Sequence, residues 1–190
     1  KNLLFFSFAF FLSFFTEPRV VKLDADSGSF ETHERATVVK NKKVELDELK
    51  SLILITEDGI NTYDEFNKQA VKNIDYFTDV VDFSELQTFI IQNGHAENVP
   101  ELRDRLGLHN LAKAYKPFLW LRYEMRRTDD AKFYLQLVVT NTLTFEDYFV
   151  AETAMDNFWS GVNVKENWYP LLNAFIDYIK ENSQTYNSNS

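Results

Sequence analysis

The chain has 190 residues, 45% of them hydrophobic and 16% aromatic, no cysteine, and a formal net charge of −9. That length and apolar content suffice for one folded domain and exclude a disordered chain, and the lack of cysteine excludes thiol nucleophiles and cysteine-based zinc sites. A net negative field repels phosphate backbones and argues against nucleic acid as a partner.

Residues 3–15, LLFFSFAFFLSFF, carry seven Phe and no charge behind Lys1. A spanning helix needs about 20 apolar residues, so this run fits the apolar region of a signal peptide or a retained anchor better than a full span. No small-x-small cleavage site closes it, since its end, Ser13, Phe14 and Phe15, and the following Thr16 are poor candidates. Taken as residues 1–16, the segment predicts contact with a membrane through residues 3–15 and an exported or membrane-associated location. Residues 17–183 are expected to be one globular domain, and residues 184–190 a disordered polar tail.

Glu17-Pro18 ends the apolar run, because proline biases its predecessor toward extended geometry. Arg19–Asp24 and Phe30–Lys40 then read as a hairpin around a Ser27-Gly28-Ser29 turn. Val44–Ile55 has a partly helical spacing, although Leu52–Ile55 also suits a buried strand. Thr62 with Glu65 predicts a capping box opening a helix that runs to about Phe77. A further helix is expected from Ser84 to Gly94, and a third from Pro100 to about Tyr115, before Pro117. Phe133, Leu135, Leu137, Val139, Leu143 and Phe145 alternate with Tyr134, Gln136, Thr140, Thr142 and Thr144, imperfectly because Val138 joins the second face. That pattern favours a hairpin over residues 118–145, with a helix pair as the rival. Glu146–Trp159 and Asn167–Ile179 read as helices, with Pro170 in the first turn of the second. The fold class expected is α+β, helix-dominant with small antiparallel β-hairpins, or alternatively all-α.

Chemistry-bearing motifs are weak. TEDGINTYDEF (residues 56–66) resembles the second half of an EF-hand calcium loop, with Asp58 before Gly59 and Glu65 at the closing position. Calcium needs six to eight oxygen ligands, yet Leu54 and Thr56 fall where the first ligands belong. Asp58 and Glu65 are therefore candidate metal ligands beside the plainer reading of a turn and a capped helix. His33, His95 and His109 lack metal-ligand spacing, and no nucleophile elbow or glycine-rich phosphate loop occurs. The remaining anomaly is aromatic. Trp120, Phe158, Trp159, Trp168 and Tyr169 are candidates for a ligand or partner surface, since exposed Trp and Tyr mark interfaces.

The functional expectation is a non-catalytic interaction module with a protein partner and no cofactor: an accessory subunit of a membrane-associated assembly, or an exported binding protein. The alternatives are an exported hydrolase using carboxylate and histidine chemistry, and a calcium-responsive protein.

Overall fold

The best alternating stretch of the sequence becomes the middle of a sheet. In the computed structural model, described for residues 22–57, 64–99, 102–155 and 164–187, the strands are β1 (Thr37–Asn41), β2 (Leu52–Glu57), β3 (Asp79–Val81), β4 (Leu119–Arg127), β5 (Phe133–Asn141) and β6 (Asp147–Ala154). The helices are α1 (Asp64–Asn73), α2 (Phe83–Gln92), α3 (Arg105–Ala114), α4 (Tyr169–Asn182) and a single turn, α5 (Gln184–Asn187). The strands form one six-stranded sheet in the order β1-β6-β5-β4-β2-β3. β4, β5 and β6 make an antiparallel meander, and β1 adds antiparallel to β6. β2 lies parallel to both β3 and β4. Parallel neighbours need long crossovers, and α1 supplies one while α2 and α3 supply the other.

Alternation along the strands separates two cores. Ile53, Ile55, Leu119, Leu121, Leu137, Val139, Phe149 and Ala151 pack with α1 and α4 on one face. Leu52, Leu54 and Phe118 pack with α2 and α3 on the other. A fully buried Leu, Ile or Phe contributes about 1.5–3 kcal/mol relative to exposure, so the first and larger cluster holds most of the apolar stabilisation. α2 and α3 cover only the β2 side of their face. The rest of that face, on β4 to β6, is mainly polar, with Val138 and Val150 set among its charged side chains, as antiparallel sheets with one solvated face are.

This is an α+β fold built on a substantial mixed sheet, which corrects the expected helix dominance with small hairpins and rules out the all-α alternative. Three stretches account for the difference. Leu52–Glu57 is a strand, and the helical reading of its surroundings shrinks to a 3₁₀ turn at Leu46–Glu48. Asp147–Ala154, read as helix, is the strand β6, with Phe149, Ala151 and Thr153 buried at period two. Phe30–Lys40 does not close a hairpin on residues 22–24; its strand, β1, pairs with β6 instead. The hairpin at residues 118–145 and the final helix with Pro170 in its first turn are present. So is the turn at Ser27-Gly28-Ser29, where Gly28 takes φ +62° and its N–H donates to the Asp24 carbonyl at 2.8 Å.

Helix boundaries shift for local reasons. α2 is capped by Asp82, whose carboxylate accepts from the Glu85 N–H at 2.9 Å, while Ser84 sits within the first turn. α3 begins at Arg105 behind an Asp104 cap. α1 stops at Asn73, and Asp75, at φ +55°, turns the chain before Phe77. The expected tail carries a helical turn at Gln184–Asn187. The expectations for residues 1–16, Thr62, Pro100 and Ser188–Ser190 lie outside the described residues.

Candidate functional site

The polar half-face of the sheet contains Trp120 and is closed upon itself. Arg122 is buried and engages Glu124, Thr140 and Asp147, with its guanidinium 4.8 Å above the Trp120 ring. The Trp120 N–H donates to Thr56 at 2.8 Å, and its ring meets Phe145 edge-on. Arg126 forks onto Glu152 at 2.9–3.1 Å and covers Tyr134. Gln136 donates to the same carboxylate at 2.8 Å. These side chains tie β4, β5 and β6 together, and their polar groups are used internally.

The other residues singled out from sequence do not gather at one place. Trp168 is fully buried, 5.8 Å from Tyr123, and serves the larger core rather than a surface. Tyr169 is half-buried between Phe30 and Phe66, at 5.1 and 6.2 Å. Phe158, Trp159 and Asp58 lie outside the described residues. Glu65, in the first turn of α1, pairs with Lys68 at 3.2 Å. Lys68 also meets Asp82 at 3.0 Å and Glu85 at 3.2 Å, which joins α1 to the cap of α2. Burial works against the Lys68 charge, but bonds to Asp82, Glu65 and Glu85 outweigh it and hold the ammonium above its usual range. Among the described residues no group of three or more His, Asp or Glu could hold a metal ion. The histidines are dispersed. His109 Nδ1 is 2.8 Å from the Leu143 carbonyl, His95 rests against Tyr115, and His33 is exposed.

A surface that the sequence reading missed lies at the first strand of the sheet. Every residue of β1 is exposed, and Val38 and Val39 present 47% and 56% of their surface. β1 pairs with β6 on one side through Val38–Ala151 and Lys40–Val150, with a bulge at Val39. On its other side, no backbone hydrogen bond from another described residue reaches it. An unpaired strand edge with adjacent valines is a template for another strand.

Above this edge runs a groove that α4 helps to form. Near the start of α4, the Asn173 side chain brackets Phe30, accepting from its N–H at 2.7 Å and donating to its carbonyl at 2.9 Å. Near the other end, the Tyr178 hydroxyl donates to the Lys42 carbonyl at 2.9 Å, and Asn41 donates to Glu181 at 3.0 Å. Between these two attachments the chain leaves a groove of about 720 Å³, bordered by Val38 and Asn41, with Ala174, Asp177 and Glu181 on the helix side. Helical spacing places those α4 residues on one stripe, while Phe175, Ile176 and Ile179 face the core. Two signals in the sequence point here: the non-alternating pair Val38-Val39 before lysines, and the acidic pair Asp177/Glu181 four residues apart. No helix among the described residues is long and apolar enough to cross a membrane.

No protein-family model matches this sequence, and no curated protein matches it. Among solved structures, the chain is similar to the C-terminal domain of LpoB from Salmonella enterica, at 19% identity and a TM-score of 0.35, covering 56% of this chain and 83% of that one. It is also similar to a lipoprotein from Neisseria meningitidis, at 10% identity and a TM-score of 0.36, covering 68% and 96% respectively. A third likeness is to PelC from Paraburkholderia phytofirmans, a dodecamer, at 8% identity and a TM-score of 0.36, covering 78% and 98%.

Proposed function

We propose that this protein is a non-catalytic interaction module, an accessory subunit of a membrane-associated assembly, held by its partner at the free edge of β1. The observation that carries the reading is that edge, with Val38 and Val39 side by side in a strand unpaired by the described residues on its outer side. The other large exposed hydrophobics, Ile91, Leu106 and Met125, stand singly on α2, α3 and β4, which is ordinary for a protein surface. The polar half-face offers a partner less, because Arg122 and Arg126 already spend their charge on Glu124, Asp147 and Glu152. The membrane part of the reading rests on the apolar run at residues 3–15.

A photo-crosslinking residue at position 39 of the full chain, expressed in its own cells, tests this. Light is expected to yield a discrete adduct in the membrane fraction from position 39 and none from position 87, an exposed site on α2. Equal labelling at both positions, or no adduct at position 39, would overturn the proposal.

A further inference from the structure

The occupant of the β1 edge can be specified further. We propose that it is an extended peptide segment bearing lysine or arginine, which adds to β1 as a new strand and directs basic side chains to Asp177 and Glu181. The inference rests on the interaction reading above and names the chemistry of the partner.

Residues paired across a ladder share a face. Val38, paired with Ala151, and Asn41, paired with Phe149, therefore lie on the α4 side, while Lys40, paired with Val150, lies on the opposite, polar side. A strand added beyond β1 would sit about 4.8 Å further out, with alternate side chains directed to the α4 side. Main-chain bonds to the free edge supply affinity in such additions, and pockets for alternate side chains supply selectivity. The wall those side chains meet is the exposed stripe of α4, where Asp177 and Glu181 stand one helical turn apart. Neither carboxylate forms a salt bridge among the described residues; Glu181 accepts only the neutral amide of Asn41. The long flexible stem of lysine, or the fork of arginine, suits two acids placed this way. Between them and the strand, Val38 and Ala174 provide apolar surface for the aliphatic part of such a side chain.

Other charges line the groove, at its far end. His33, Glu34 and Arg35 belong to the loop that enters β1, with one acid set against the base and the histidine. The acidic end is thus the one beside Asn41. Net charge decides among occupants in the same direction: at −9, the chain attracts a basic segment, whereas a second copy or an anionic lipid surface is repelled.

The test uses the full chain and two short probes, a seven-residue peptide alternating valine with lysine and its counterpart alternating valine with glutamate. Binding is read by calorimetry, and amide hydrogen exchange is followed at Thr37–Asn41. The lysine peptide is expected to bind and to slow exchange across β1. The double variant Asp177→Lys/Glu181→Lys, both sites exposed, is expected to weaken it at least tenfold with only the small loss of melting temperature that giving up the exposed Asn41–Glu181 bond entails, and to favour the glutamate peptide. Equal binding of both peptides, unchanged in the double variant, would sink the basic occupant while leaving the edge as an interaction site. Absence of protection at β1 with either peptide would also sink it, and the adduct at position 39 would then judge the interaction reading on its own. Sedimentation showing that the chain alone pairs through β1 would replace the peptide with a second copy.

Discussion

Phe175→Ala is expected to lower the unfolding free energy by about 3–5 kcal/mol, the usual cost of truncating a buried aromatic and leaving a cavity. Phe175 has no exposed surface, and its ring lies 6.1 Å from both Phe77 and Phe149 and 6.5 Å from Tyr178. It therefore joins α4, β6 and the turn after α1 through one side chain. The matching control is Leu106→Ala, on a residue 65% exposed on α3, where a change within about 0.5 kcal/mol is expected. Urea unfolding of both variants checks the pair. A loss below about 1 kcal/mol for Phe175→Ala would mean that α4 is not anchored as described, and the groove wall would lose its support.

The second large effect belongs to Asp47 and carries a pH signature. One oxygen of this carboxylate accepts from the hydroxyls of Thr185, Ser183 and Tyr76 at 2.6, 2.7 and 3.0 Å. The other accepts the N–H groups of Gln184 and Thr185 at 3.0 and 3.2 Å, which caps α5. Partial burial opposes its charge, but the bonds from Thr185, Ser183 and Gln184 outweigh that and hold the carboxyl well below the usual carboxylate range. A carboxyl depressed in the folded state stabilises the fold above its unfolded value of about 3.9, and the contribution fades as pH falls through the folded value. Asp47→Asn is accordingly expected to be less stable by about 1–2 kcal/mol at pH 7, the net worth of charge-assisted bonds weakened together. The gap between the two proteins is expected to narrow steadily as pH drops below about 4. Urea titrations at several pH values check this, and a gap constant down to pH 2 would show that the Asp47 charge is not the source.

Against these contacts, the legible part of the fold has a physical pattern. Signals confined to one element survived: the alternation of Phe133–Val139, the turn at Gly28, the stop at Gly94, and Pro170 in the first turn of α4. The elements whose type was misread depend on partners distant in sequence. DYFVAETA contains good helix formers, yet it is a strand because β5 and β1 pair with it on both sides, and strand preference reflects such neighbours more than the backbone. The run Leu52–Ile55 is apolar at every position because both faces of β2 are covered, by α1 on one side and by α2 and α3 on the other. Periodicity cannot separate such a strand from a buried helix. The cap at Asp82 was readable, since Asp82 and Glu85 have the spacing of a capping box.

The surface was less legible than the fold. Of the aromatics selected as interface markers that lie among the described residues, Trp168 fills the core and Trp120 is held between Arg122, Thr56 and Phe145. Val38 and Val39 escaped notice because a strand looks like interior until its place in the sheet is known. Only the strand order shows that β1 is an edge.

The measurement that bears most directly on the interaction reading is the size of the assembly extracted from native membranes with Val39→Asp in place of the wild-type chain. A charge at this position, 56% exposed in the free protein, is expected to leave the melting temperature nearly unchanged and to release the chain from its assembly, because it opposes strand addition at the edge. An assembly of unchanged size and occupancy with Val39→Asp would contradict the account.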